Sequence, residues 1–152
     1  MKGDRLKASV LAVRLIPNVD DGMAKELKLP EGHRSIGVLT SDCDDVTYTA
    51  LDDATKKAVV EVVYGKSFYG GAANANTKLA GEVIGILSGP TPAEVRSGLN
   101  AAVDFIENEA SFISANDDDS IAYYAHCISR TGSYLSKTAG IPEGESIAYL
   151  IA

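Results

Sequence analysis

The chain has 152 residues, 45% hydrophobic and 23% charged, with 21 acidic against 14 basic residues and a net charge of −7. That length and balance describe an ordinary soluble chain, usually one domain, and no run approaches the ~20 apolar residues of a membrane span. The acidic balance, with Lys56-Lys57 as the only adjacent basic pair, disfavours nucleic acid and suits small cationic molecules better than anionic ones.

The first seven residues lack the apolar core of a secretory leader, so a cytoplasmic protein is expected. Residues 8–16 are rich in β-branched side chains and predict a strand, which Pro17 ends because proline supplies no ladder donor. Asp20 or Asp21 is placed to cap a short helix reaching Leu27, and Pro30-Glu31-Gly32 turns the chain. A second strand covers residues 35–41, followed by a polar corner at residues 42–45. Residues 49–58 predict a helix with Asp52 and Asp53 in its first turns, where carboxylates suit the helix dipole. Residues 59–64 are the clearest strand.

Residues 65–77 hold too much Gly and Asn for regular structure and are too long for a tight hairpin. Irregular loops of about a dozen residues are often functional. A fourth strand is expected at residues 79–87. Thr91 then caps the strongest helix, with Pro92 in its first position and Glu94 completing a capping box. Val95, Leu99, Ala102, Val103 and Ile106 fall on one face of this helix, which ends near Glu107-Asn108. The order β-α-β-α-β-loop-β-α predicts an α+β sandwich, an antiparallel or mixed sheet with helices on one face. Asp117-Asp118-Asp119 is a connector without the alternating ligands of a calcium loop.

The chain then repeats itself. Leu29-Pro30-Glu31-Gly32 returns 112 residues on as Ile141-Pro142-Glu143-Gly144, and Ser35-Ile36-Gly37-Val38-Leu39 returns 111 residues on as Ser146-Ile147-Ala148-Tyr149-Leu150. An apolar run precedes each copy, and a short helical piece lies between run and turn. A period this long is not a solenoid's and predicts tandem copies of a small domain. Residues 1–108 are expected to form the first and residues 109–152 the start of a second, truncated one.

Chemistry-bearing motifs are sparse. Cys43 and Cys127 are expected to be plain thiols, and with His33 and His126 they show no metal spacing, so no metal and no cofactor is expected. No serine, cysteine or nucleotide-binding motif marks a catalytic centre, so no catalytic residue is named and the chain is not expected to be an enzyme. Asp44, Asp45 and Glu82 are candidate carboxylates for a small cation, since an ammonium group needs acceptors close together and partly desolvated. Asp45 after the second strand and Glu82 in the fourth are expected to converge in one sheet. The plainer readings are a turn or cap for the aspartates and a solvent-facing strand position for Glu82. Residues 130–133 read as a helix-entry turn capped by Thr131 or Ser133 rather than a phosphate nest.

Four strings carry a specific resemblance: Ser41-Asp42-Cys43-Asp44-Asp45-Val46-Thr47-Tyr48, Ala80-Gly81-Glu82-Val83, residues 89–99 beginning Gly89-Pro90-Thr91-Pro92, and residues 129–136 beginning Ser129-Arg130-Thr131-Gly132. Over essentially residues 8–151 the chain resembles the EutL family, the ethanolamine-utilisation shell proteins of bacterial microcompartments. The resemblance implies a ferredoxin-like, circularly permuted microcompartment domain in two tandem copies, the second continuing after the position of Ala152. It further implies a structural protein: a homotrimer forming a six-lobed tile that packs with other shell proteins. Metabolites would pass through a gated central pore and smaller subunit pores. On that basis Phe68, Tyr69, Gly70 and Gly71 belong to the gate loop. Asp45, Glu82 and Phe112, with Asp44 beside them, line a small pore for an amine such as ethanolamine. The alternative is a small amine-binding or regulatory module that forms no tile.

Overall fold

Aliphatic side chains alternating in and out along β2 (Val10–Ile16), β3 (Ser35–Ser41), β4 (Glu61–Phe68) and β5 (Glu82–Gly89) build the first sheet. The computed structural model describes residues 1–68 and 82–152. Its first sheet has the order β2-β3-β5-β4 with every described pairing antiparallel. The helices α2 (Asp44–Lys57) and α3 (Pro92–Asp104) cover one face. They come close because the sheet offers glycine beneath them. A Cβ on Gly37 would lie 2.7 Å from Leu99, and one on Gly85 2.7 Å from Leu51. Leu39, Leu51, Leu87, Val95 and Ile106 fill the core between the layers. Short α1 (Asp21–Glu26) follows β2, its cap made by Asp20 accepting from the Met23 amide at 2.8 Å.

Three local expectations need correction. α2 starts at Asp44 rather than residue 49, because Ser41 and Thr47 hydrogen-bond each other and close the corner directly into helix. Asp44 and Asp45 therefore hold its first turn, and Asp52 and Asp53 lie deep in the helix. Glu94 does not complete a capping box. The Thr91 hydroxyl accepts from the Glu94 amide at 3.2 Å, but the Glu94 carboxylate accepts from the Val59 amide at 2.8 Å. Lastly, α3 gives way at Phe105 to a π-helical turn, Phe105–Glu109.

A second sheet has the order β1-β6-β7-β8, from β1 (Arg5–Leu6), β6 (Phe112–Ser114), β7 (Ala122–Ile128) and β8 (Ile147–Ile151). α4 (Ser133–Ala139) lies between β7 and β8 as α1 lies between β2 and β3. The 112-residue period extends to the backbone. Lys28 and Gly140 both take positive φ, 52° and 69°, and so do Gly32 and Gly144, 83° and 93°. The bonds from Leu29 N to Ala24 O and from His33 N to Pro30 O recur from Ile141 N to Ser136 O and from Glu145 N to Pro142 O. Gly is the residue such angles favour, and Lys28 is the exception.

The second sheet packs on the helices that cover the first sheet. Tyr124 is buried, its hydroxyl 2.8 Å from Thr49 Oγ1 on α2. His126 meets Phe105 edge-on at 5.3 Å. α4 abuts α2, whose buried Asp52 carboxylate accepts from the Gly132 and Leu135 amides, both at 2.8 Å. The cap expected from Thr131 or Ser133 is thus supplied from 80 residues away. Among the described residues no helix is long and apolar enough to cross a membrane.

Candidate functional site

The corner after β3 decides the site. Because α2 begins at residue 44, two carboxylates fall where unpaired amides and the helix dipole offset negative charge. Asp44 is buried; its Oδ1 accepts from the Asp45 amide at 2.8 Å and its Oδ2 from Ser67 Oγ at 2.6 Å. Ser67 in turn lies 2.7 Å from Tyr48 OH. Asp45, half-buried, accepts from Tyr149 OH at 3.0 Å. Burial, and then the charge of Asp44, push the Asp45 carboxyl above the usual carboxylate range, while the Tyr149 bond pulls it back. Burial and Asp45 also raise the Tyr149 phenol.

Asp45 opens on a cavity of about 330 Å³ shared with Phe112, Ser120, Ile121 and Ile151. Phe112 is buried and stacks on Tyr124, centroids 5.4 Å apart and planes at 21°. The structure thus brings Asp45 and Phe112 to one cavity, with Asp44 hydrogen-bonded to the Asp45 amide. One carboxylate beside an aromatic and aliphatic wall has the chemistry to hold a small organic ammonium.

Glu82 is placed elsewhere. It is exposed at the start of β5, opposite Phe68 on β4, and shares with Ile84 and Ile86 the sheet face away from α2. It does not converge with Asp45 in one sheet, because Asp45 is helical. Phe68 ends β4 half-exposed; Tyr69, Gly70 and Gly71 lie outside the described residues. Sequence reasoning missed Tyr149, Ser67 and Tyr48. A signal existed for Tyr149: it stands where the first repeat has Val38, an aromatic with a polar tip in place of an aliphatic.

Cys43 is buried and its thiol is pushed up to about 12, which leaves it unreactive as a thiolate. Cys127 is exposed. His126 is held below its ordinary value by burial and by Lys56, so it stays neutral near pH 7.

Residues 35–117 match the BMC domain family, a stretch running from β3 into the connector after β6. Over all 152 residues the chain is 66% identical to the bacterial microcompartment shell protein EutL of Clostridium perfringens and covers 70% of its length. The chain belongs to the EutL family of bacterial microcompartment shell proteins. EutL of Salmonella typhimurium is 58% identical over 149 residues, 68% of its length. The crystal structure of the ethanolamine utilization protein EutL from Leptotrichia buccalis superposes with a TM-score of 0.92. It is 89% identical, over 99% of this chain and 69% of that one. The BMC domain match begins at β3, so β2 and α1 precede it although β2 pairs with β3. That order is what circular permutation produces.

Proposed function

We propose that the chain is a structural component of the shell of an ethanolamine-utilisation microcompartment, not a catalyst. It forms trimeric, six-lobed tiles that pack with other shell proteins. Membership in the EutL family over the whole chain carries this reading. The tandem units, residues 1–108 and 109–152, supply lobes, and the segment opened by Phe68, Tyr69, Gly70 and Gly71 gates a central pore. The cavity between Asp45 and Phe112 is the subunit's own passage for an amine, with Asp45 as the counter-charge and Tyr149 fixing its orientation. Asp44 positions Asp45, and Glu82 supplies a rim carboxylate from the sheet face away from α2.

Calorimetric titration with ethanolamine tests the cavity. Asp45→Asn is expected to weaken binding at least about tenfold, the scale of one lost charge-assisted contact, with the far-UV circular dichroism unchanged. Undiminished binding in that variant removes Asp45 from the site.

A further inference from the structure

Four rings run in a column through the seam between the second sheet and the helices. Phe112, on the wall of the Asp45 cavity, stacks on Tyr124 with centroids 5.4 Å apart and planes at 21°. Tyr124 stacks on His126 at 5.7 Å and 10°, and His126 meets Phe105 edge-on at 5.3 Å. Tyr149, the ladder partner of His126 on β8, leans on Tyr124 at 5.8 Å and donates to Asp45. Through Tyr124, His126 therefore reaches both the aromatic wall of the cavity and the phenol that holds its carboxylate.

The far side of His126 is polar. It opens on a pocket of about 180 Å³ shared with Asp53, Lys56, Glu109 and Ser129. The α2 groups are committed: Asp53 pairs with Lys56 and Lys57, Lys56 also donates to Arg130 O, and Asp52 accepts from the α4 entry. Glu109 comes from the π-helical turn and pairs with Lys57 at 3.3 Å. Turns of this kind often mark functional positions, and this one brings Phe105 and Glu109 to the same histidine. A neutral imidazole presents one N–H, which suits a ring stacked among aromatics. An imidazolium presents two, and the carboxylates that would take the second lie on the pocket side. Burial and Lys56 favour the neutral ring, and Glu109 and Asp53 oppose them.

We propose that His126 is a positioning residue that couples the amine cavity to a proton: an ammonium bound at Asp45 and a proton on His126 oppose one another. Two effects act in the same direction. Cations two rings apart repel in a water-poor seam. An imidazolium drawn toward Glu109 also leaves Tyr124, so the stack that places Phe112 and Tyr149 around the cavity loosens. The linkage is reciprocal, and bound amine makes His126 harder to protonate by the same factor. The coupling rests on the amine reading of the cavity given above.

Calorimetric titration of the full-length protein with ethanolamine at about pH 7.5 and about pH 5 tests the coupling, with wild type and His126→Phe side by side. Phenylalanine keeps a ring on Tyr124 and cannot take the proton, while the titration of Asp45 is common to both proteins. Acid is expected to weaken wild-type binding at least about fivefold more than binding to the variant. Equal losses, or none in either protein, overturn the coupling and leave the amine cavity standing. A wild-type protein that binds no ethanolamine at the higher pH overturns the amine reading, and the coupling with it. Should His126→Phe fail to fold, the wild-type His126 ring signal, followed by NMR through the same pH range, decides. Saturating ethanolamine is expected to lower its midpoint by about 0.7 pH unit or more, the same factor read from the proton, and an unmoved midpoint overturns the proposal.

Discussion

Two buried or half-buried aspartates on α2 do opposite work. Asp52 is fully buried and accepts two amide hydrogens from the entry to α4. Asp52→Ala strands both donors in an apolar seam and is expected to cost roughly 2–4 kcal/mol in urea unfolding. A loss under about 0.5 kcal/mol contradicts the clamp. Asp45 is the opposite case, a half-buried carboxylate beside the charge of Asp44. Its raised carboxyl favours the fold while protonated; that contribution is complete below the unfolded pKa and disappears as pH rises through the folded one. Asp45→Asn is therefore expected to be more stable than wild type at pH 7. The gap should close as the pH falls through the acid range. Denaturation curves at pH 7 and pH 4 check this, and a variant less stable at pH 7 contradicts it.

Elements were legible where periodicity or capping chemistry is local. The strands at residues 10–16 and 35–41 and the α3 start at Thr91-Pro92 follow from β-branching and from a hydroxyl followed by proline. Thr91→Ala is expected to cost about 1 kcal/mol by the same local logic, measurable as a lower thermal midpoint. Boundaries set by distant partners were not legible. The start of α2 reads as a loop because Asp42 to Asp45 suits turns equally well, and only the Ser41–Thr47 bond closes it into helix. Likewise the α4 cap comes from Asp52, which no short-range signal connects to Gly132. The candidate site shows the same limit: Asp44 and Asp45 were read as candidate carboxylates and Phe112 came from family resemblance, while Tyr149 reaches Asp45 across 104 residues of sequence. Gly132→Ala tests the element contact itself. Its Cβ would lie 2.2 Å from Thr55 Oγ1 and 2.7 Å from Asp52 O, so α4 must back away from α2. Hydrogen exchange is expected to speed up in β7, α4 and β8 while the first sheet keeps its protection; uniform protection contradicts the close docking.

At the scale of the molecule, the segments from β2 to β3 and from β7 to β8 share a period of about 112 residues in sequence, backbone angles and turn hydrogen bonds. The period was readable because turns of the Pro-Glu-Gly type fix backbone geometry locally. The packing of one repeat's sheet on the other's helices was not, because it depends on side chains such as Tyr124 and His126 meeting α2 and Phe105. Membership in a family of shell proteins is the ground on which an assembly is proposed as the working form. Native mass spectrometry of the full-length protein at micromolar concentration tests that most directly. A single species of three times the subunit mass is the expected result; a monomer or dimer at every concentration contradicts the shell tile.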